Sequence, residues 1–325
     1  MMTIRQPFQL NTYSGEGDLP AIATLINTCQ VADNLENRAT VTKLRESYAD
    51  PTFDVAQDLR LWRDADGELI AMAELWRQPP EASFISHLGF AIHPQARDSD
   101  LAEAISTWAE EQVLRLGAQL GVPIVLHSGC RDTVTTRKTQ LQQLGFTPER
   151  SFWRLQRSLT LPISKAPLPD GWRLRCVVAA DAEKWVKMFN QTFVDHWNHS
   201  PMTVEEFRHW CEGSQYDPNL DFVIETPAGE LAAFAYSEIN PERNARLGKQ
   251  EGYICLLGTR RGYRRLGLAR ALLAESLQRL KLLGMTMATI SVDSQNPSGA
   301  VKLYQSVGFE QQRSSTVYRK VVSMP

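Results

Sequence analysis

The stretch "TRRGYRRLGLARALL", Thr259 to Leu273, sets arginines and two glycines ahead of an apolar stripe. Ala269, Leu273, Leu277 and Leu280 recur at helical spacing, which predicts a helix beginning near Leu266 to Leu268. The first turn of a helix carries unpaired N–H groups and the positive end of the backbone dipole. Gly267 has no side chain to hold a ligand away from those amides, and Arg264 and Arg265 add charge beside it. The chemistry on offer is anion binding, above all of a phosphate. Neither GxxxxGK[ST] nor GxGxxG is present. The same residues also describe a charged turn ahead of a solvated helix, so the choice rests on the neighbouring elements.

Those elements occur twice. "DGELIAMAEL" from Asp66 matches "AGELAAFAYS" from Ala228, and "LQQLGF" ending at Phe146 matches "YQSVGF" ending at Phe309. Between them, "RDSDLAEAI" from Arg97 corresponds to "RRLGLARAL" from Arg264. Three matches in the same order, far wider apart than a solenoid period, indicate a duplicated domain. Each copy reads as an early strand, two helices, a hairpin, a strand, a long helix, a strand, a helix and a last strand. The second helix of copy two opens on the capping box "TVEE", Thr203 to Glu206. The expected class is α/β (α+β), each copy a mixed sheet flanked by helices. The expected domains are 1–159 and 171–325, joined by a proline-bearing linker over 160–170.

Composition narrows the setting. Hydrophobic residues make up 43% and charged residues 22%, the balance of a soluble globular chain. No apolar run reaches the length of a membrane span, and the first residues carry no apolar signal core, so the expectation is a cytoplasmic protein with no membrane partner. A formal net charge of -2 argues against a general nucleic-acid binder. The five cysteines contain no CxxC and the six histidines no HExxH, so no metal site is expected.

"RRLGLA", Arg264 to Ala269, resembles the Q/R-x-x-G-x-G/A signature of the GNAT acyltransferase superfamily. "NPSGAVKLYQSVGF", Asn296 to Phe309, is similar to that family's second motif, an asparagine after the fifth strand and a tyrosine eight residues on. The likeness covers Gly171 to Lys320 and, with the repeat, has the layout of a tandem GNAT protein. The resemblance implies that Arg264, Arg265, Leu266, Gly267, Leu268 and Ala269 cradle the pyrophosphate of acetyl-CoA, the co-substrate. It places Asn296 and Tyr304 beside the pantetheine and thiol, with Tyr304 as the acid that protonates the leaving thiolate. A backbone amide near Leu257 would polarise the thioester carbonyl. Glu251 is the candidate base, with Glu238 its rival. Strand alternation puts Glu251, Tyr253, Cys255 and Leu257 on one face, Cys255 as packing. Asp195, His196, Trp197 and His199 in "FVDHWNHSPMT" give either an acceptor-recognition segment or a helix cap with surface packing.

Copy one departs from the pattern. Its loop reads "RDSDLA", with Asp100 in the glycine slot and Asp98 nearby. Thr133 and Leu141 stand where Asn296 and Tyr304 stand in copy two. The expected function is therefore acetyl-CoA-dependent N-acetylation of a small-molecule amine by the second copy, the first being catalytically silent. The alternative is a non-catalytic acyl-CoA-binding or regulatory protein. The expected assembly is a monomer with an internal pseudo-dimer, or a weak homodimer.

Overall fold

The structure is a computed structural model that describes residues 8–194, 196–197, 201–296 and 298–324. The first copy contributes β1 (Gln9–Thr12), α1 (Leu19–Ala32), α2 (Val41–Tyr48), α3 (Val55–Asp58), β2 (Leu59–Arg63), β3 (Leu69–Arg77) and β4 (Phe84–Ile92). It continues with α4 (Leu101–Gly117), β5 (Ile124–Arg131), α5 (Thr135–Gln143) and β6 (Thr147–Ser158). The second copy contributes β7 (Arg173–Cys176), α6 (Ala182–Phe193), α7 (Val204–Glu212), β8 (Asp221–Glu225), β9 (Leu231–Ile239) and α8 (Pro241–Leu247). It closes with β10 (Glu251–Thr259), α9 (Leu268–Leu282), β11 (Met287–Asp293), α10 (Ala300–Ser306) and β12 (Glu310–Ser323).

The compact units do not follow the linear halves. One comprises Met1–Ser151 with Ser315–Pro325, the other Phe152–Ser314. The boundaries expected at 159 and 171 are thus replaced by an exchange of last strands, and the 160–170 segment falls inside the second unit. In the first unit the strand order is β1-β2-β3-β4-β5-β12, and Ser315 to Ser323 pair antiparallel with β5. In the second unit it is β7-β8-β9-β10-β11-β6, and Phe152 to Ser158 pair antiparallel with β11. Burial sorts the two strands. Leu155 lies in the core with Ile254, Leu273 and Ile290, whereas Tyr318 lies in the core with Leu88, Ile105 and Leu126.

Local sequence explains the elements that frame the site. The Thr203 hydroxyl accepts the Glu206 amide at 3.2 Å, and the Glu206 carboxylate accepts the Thr203 amide at 2.6 Å, so the capping box forms. Helix α9 starts at Leu268 and buries Leu273, Leu277 and Leu280, with Leu268, Ala271 and Leu272 widening the buried face. On the other side of that sheet, Trp185 stacks on Phe207 with ring centroids 4.4 Å apart and packs against Phe234. Among the described residues no helix is long and apolar enough to cross a membrane.

One buried carboxyl, at the start of β8, titrates abnormally. Burial pushes Asp221 up to about 7, while the Tyr216 hydroxyl donates to it at 3.0 Å. The folded chain holds this proton between the ordinary aspartate range and about pH 7, whereas the unfolded chain releases it. Stability is therefore lost as pH rises through that window. Asp221→Asn keeps an oxygen for Tyr216 and removes the charge. Its melting-temperature advantage over the parent should grow from pH 4 to pH 7, by about 2–4 °C for each kcal/mol relieved. An advantage independent of pH in thermal denaturation would contradict this assignment.

Candidate functional site

Strands β10 and β11 run parallel but pair only from Glu251 to Ile254, against Met287 to Ile290. Both continue, β10 to Thr259 and β11 to Asp293, so a cleft opens between them. On its other edge β10 stays paired with β9 through Thr259, with a register shift between Ile254 and Leu256. This is a β-bulge at Cys255. It breaks the alternation expected along the strand. Gly252 faces Leu280 of α9, and Ile254 packs with Leu273 and Leu277. Leu257 joins that same side, against Leu268 and Leu272, while Leu256 turns to the Trp185 side. Leu257 thus does not share a face with Glu251, Tyr253 and Cys255.

The glycine loop lies at the open end of this cleft. Arg264 is extended, Arg265 has φ 67°, and Gly267 has φ 80° and ψ 0° as the residue before α9. The two left-handed residues lead straight into the first turn of α9, whose unpaired amides can hold an anion. A Cβ on Gly267 would meet open space, so the glycine is needed for its left-handed backbone and not to relieve crowding. Arg265 pays for the same conformation with a side chain, at a cost of roughly 1–2 kcal/mol. Its guanidinium is exposed and has no hydrogen-bond or ion-pair partner among the described residues. Arg264 instead ties the loop down, donating to the carbonyls of Thr259 and Thr192, each at 3.3 Å. Leu266 is exposed, Leu268 is buried beneath the helix start, and Ala269 is half-buried.

The Tyr304 ring is buried beside Phe309, and its hydroxyl takes no protein partner among the described residues. Burial, and then the neighbouring Tyr253 phenol, pushes Tyr304 well above the ordinary tyrosine range. It therefore keeps its proton at neutral pH, the form a proton donor requires. Asn296 spends its side-chain oxygen on the Ser298 amide at 2.8 Å and the Ser298 hydroxyl at 2.5 Å, which shapes the turn into α10. Only its amide nitrogen is left for a ligand.

Glu251 is placed differently from what a base requires. It is buried at the start of β10, before the cleft opens. Arg243 donates to it at 3.0 Å, the Thr289 hydroxyl at 3.2 Å, and Arg154 stands 3.6 Å away. Two arginines and a hydroxyl thus converge on its Oε1, away from the cleft. Glu238 lies opposite Tyr253 on β9 and beside Cys255 at the bulge. Burial, and then Glu238, pushes the Cys255 thiol far up, so it stays neutral and is no nucleophile. His196 contacts the Trp197 carbonyl through Nδ1 at 3.0 Å and packs edge-on against Phe193, while Trp197 leans on Phe152. Asp195 and His199 lie outside the described residues.

Sequence reasoning missed Arg154. Its guanidinium lies 3.8 Å over the Tyr253 ring. It comes from the strand that the first copy lends to the second unit's sheet, so spacing within the second copy could not find it.

Residues 182–309 match the acetyltransferase (GNAT) family. The chain is 28% identical over 306 residues to the mycothiol acetyltransferase of Thermobispora bispora, covering 94% of this chain and 96% of that one. Its fold resembles a GCN5-related N-acetyltransferase from Sphaerobacter thermophilus, with a TM-score of 0.74 and 23% identity over 98% of this chain and 96% of that chain. A tandem GNAT protein from the clavulanic acid biosynthesis pathway superposes with a TM-score of 0.71 at 12% identity, over 99% of this chain and 100% of that chain.

The strained arginine gives a test of the loop. Arg265→Gly removes both the conformational cost and the unpartnered cation. The melting temperature should hold or rise, and the Kd for an acyl-CoA in calorimetry should weaken about tenfold, the effect of one lost charge-assisted contact. Unchanged affinity would remove the arginine from the anion site.

Proposed function

Starting from a chain that carries a GNAT acetyltransferase domain over residues 182–309, we propose that the second unit transfers the acetyl group of acetyl-CoA to the amine of a small molecule. The observation that carries this reading is the conjunction of the β10–β11 cleft with the left-handed loop at its mouth. Beyond Ile254 the edge of β10 facing β11 has lost its strand partner. Its amides and carbonyls then need a ligand or water. The pantetheine arm of acetyl-CoA is an extended diamide that can take those hydrogen bonds, with its pyrophosphate on the amides of Gly267, Leu268 and Ala269.

The chemistry follows from what lines the cleft. The acceptor amine, once neutral, attacks the thioester carbonyl carbon, and its electron pair forms the new C–N bond. The carbonyl oxygen gathers negative charge, which the N–H near Leu257 stabilises. Glu238, through a water, takes the proton the amine sheds, a role better suited to it than to the doubly paired Glu251. The C–S bond breaks, and Tyr304 gives its proton to the departing thiolate. The Asn296 amide nitrogen donates to the arm near the thiol. The similarity to a mycothiol acetyltransferase motivates the acceptor class. We place a mycothiol-type amine at the head of the acceptor panel.

Release of CoA thiol measured across that panel tests the activity. Tyr304→Phe should lower kcat by about 10²-fold with little change in KM for acetyl-CoA, as expected for a lost general acid. Glu238→Gln should lower kcat/KM by a similar factor, of order 10²-fold, and Glu251→Gln should act mainly on stability. Tight acetyl-CoA binding without turnover on any amine would favour a binding module instead. A larger kinetic loss in Glu251→Gln than in Glu238→Gln would return the base to Glu251.

A further inference from the structure

The first unit keeps the split sheet but changes what lines it. Strands β4 and β5 pair in parallel only from Phe84 to His87, against Ile124 to His127, and both run on for several residues. Within the first unit a cavity of about 310 Å³ opens there, at the lower end of the range of small-molecule sites. Its walls include Ile26, Met72, Glu74, Phe90, Val134 and Arg137.

The charges of this cavity are nearly all accounted for. Arg97 holds Asp33 in a two-pronged pair at 2.6 and 3.0 Å and is neutralised by it. Burial pushes the Glu74 carboxyl up towards its neutral form, and the Tyr48 hydroxyl donates to it at 3.4 Å. Burial likewise raises the Cys29 and Cys130 thiols. Arg137 is the exception. Its guanidinium carbon lies over the Phe90 ring, 3.1 Å from the centroid. It makes two long hydrogen bonds, to the Phe90 carbonyl and the Ser128 hydroxyl, each at 3.3 Å. Among the described residues no carboxylate pairs with it. Burial brings its pKa down to about 9, so it remains a cation at neutral pH. A guanidinium has five N–H donors in one plane, and most of these stay unused. The nearby Asp33 is held by Arg97 and acts on Arg137 without contact, and a planar fork beside a cavity is the complement of a carboxylate.

The pyrophosphate end is missing. Asp100 precedes α4 at φ −79°, where Gly267 precedes α9 at φ 80°. Asp98, Ser99 and Asp100 all lack the left-handed backbone. Arg97 is bound to Asp33 and cannot swing to a phosphate without breaking that pair. We propose that the first unit's cleft is a binding site for a small monocarboxylate with an apolar body, its carboxylate on the Arg137 fork and its body against Met72, Phe90 and Val134. The site is distinct from the acetyl-CoA cleft of the second unit and does not depend on that reading.

Thermal-shift and calorimetric titration of the full chain test this, with hexanoate, benzoate and phenylacetate as probes and their amides as uncharged controls. The acids should stabilise the protein and bind with one site per chain, and the amides should do neither. Arg137→Gln should abolish the response while acetyl-CoA binding persists. Arg137→Lys, which keeps the charge but not the fork, should weaken it several-fold and guards against a glutamine variant that folds poorly. The acid-against-amide contrast in the parent protein needs no variant at all. Equal responses to acids and amides, or none to any acid at millimolar concentration, would overturn the proposal. So would two acetyl-CoA sites per chain with one lost in Arg137→Gln, because the cleft would then be a second acyl-CoA site.

Discussion

Backbone groups inside a sheet must find partners, and after Ile254 the edge of β10 facing β11 no longer has them. Much of the second unit's candidate site follows from that parting. Pairing with β9 holds the other edge of β10 in place to Thr259, so the open edge is rigid. The bulge at Cys255 turns Leu257 towards α9 and re-aims the amides that follow. The same strand then delivers the chain into the loop, where Arg265 and Gly267 adopt left-handed conformations before α9 begins. Trp185, Phe207 and Phe234 pack one side of the sheet, and Leu273, Leu277 and Leu280 pack the other.

The duplicated unit shows how one backbone device can be given different charge. Both units part their parallel strands after four pairs. In the second, the mouth of the cleft offers left-handed amides and an unpartnered arginine. In the first, the mouth carries Asp98 and Asp100 on ordinary backbone, and the unpaired cation sits deeper, at Arg137. Loss of the phosphate-binding features therefore did not leave an inert wall.

Much of this was legible in the sequence. The matched segments of the two copies revealed the duplication, because hydrophobic patterning survives where site residues do not. Thr203 and Glu206 announced a helix start that the structure realises bond for bond. Gly267 ahead of a leucine stripe located the loop. Other features carry no local mark. The Cys255 bulge sits in a run of apolar residues with no glycine or proline to signal a register shift. The exchange of β6 and β12 is invisible because each strand's alternation fits either sheet, and it hides Arg154 from any reading of the second copy alone. Glu251 looked available because a strand-end carboxylate usually is. Its partners Arg243 and Thr289 come from α8 and β11.

The most direct test is a crystal structure of the full chain with acetyl-CoA. The pyrophosphate should lie within hydrogen-bond distance of the Leu268 and Ala269 amides, with the thioester in the β10–β11 cleft beside Leu257 and Tyr304. Cofactor bound only in the cleft of the first unit, or on the second unit away from these amides, would contradict the central claim.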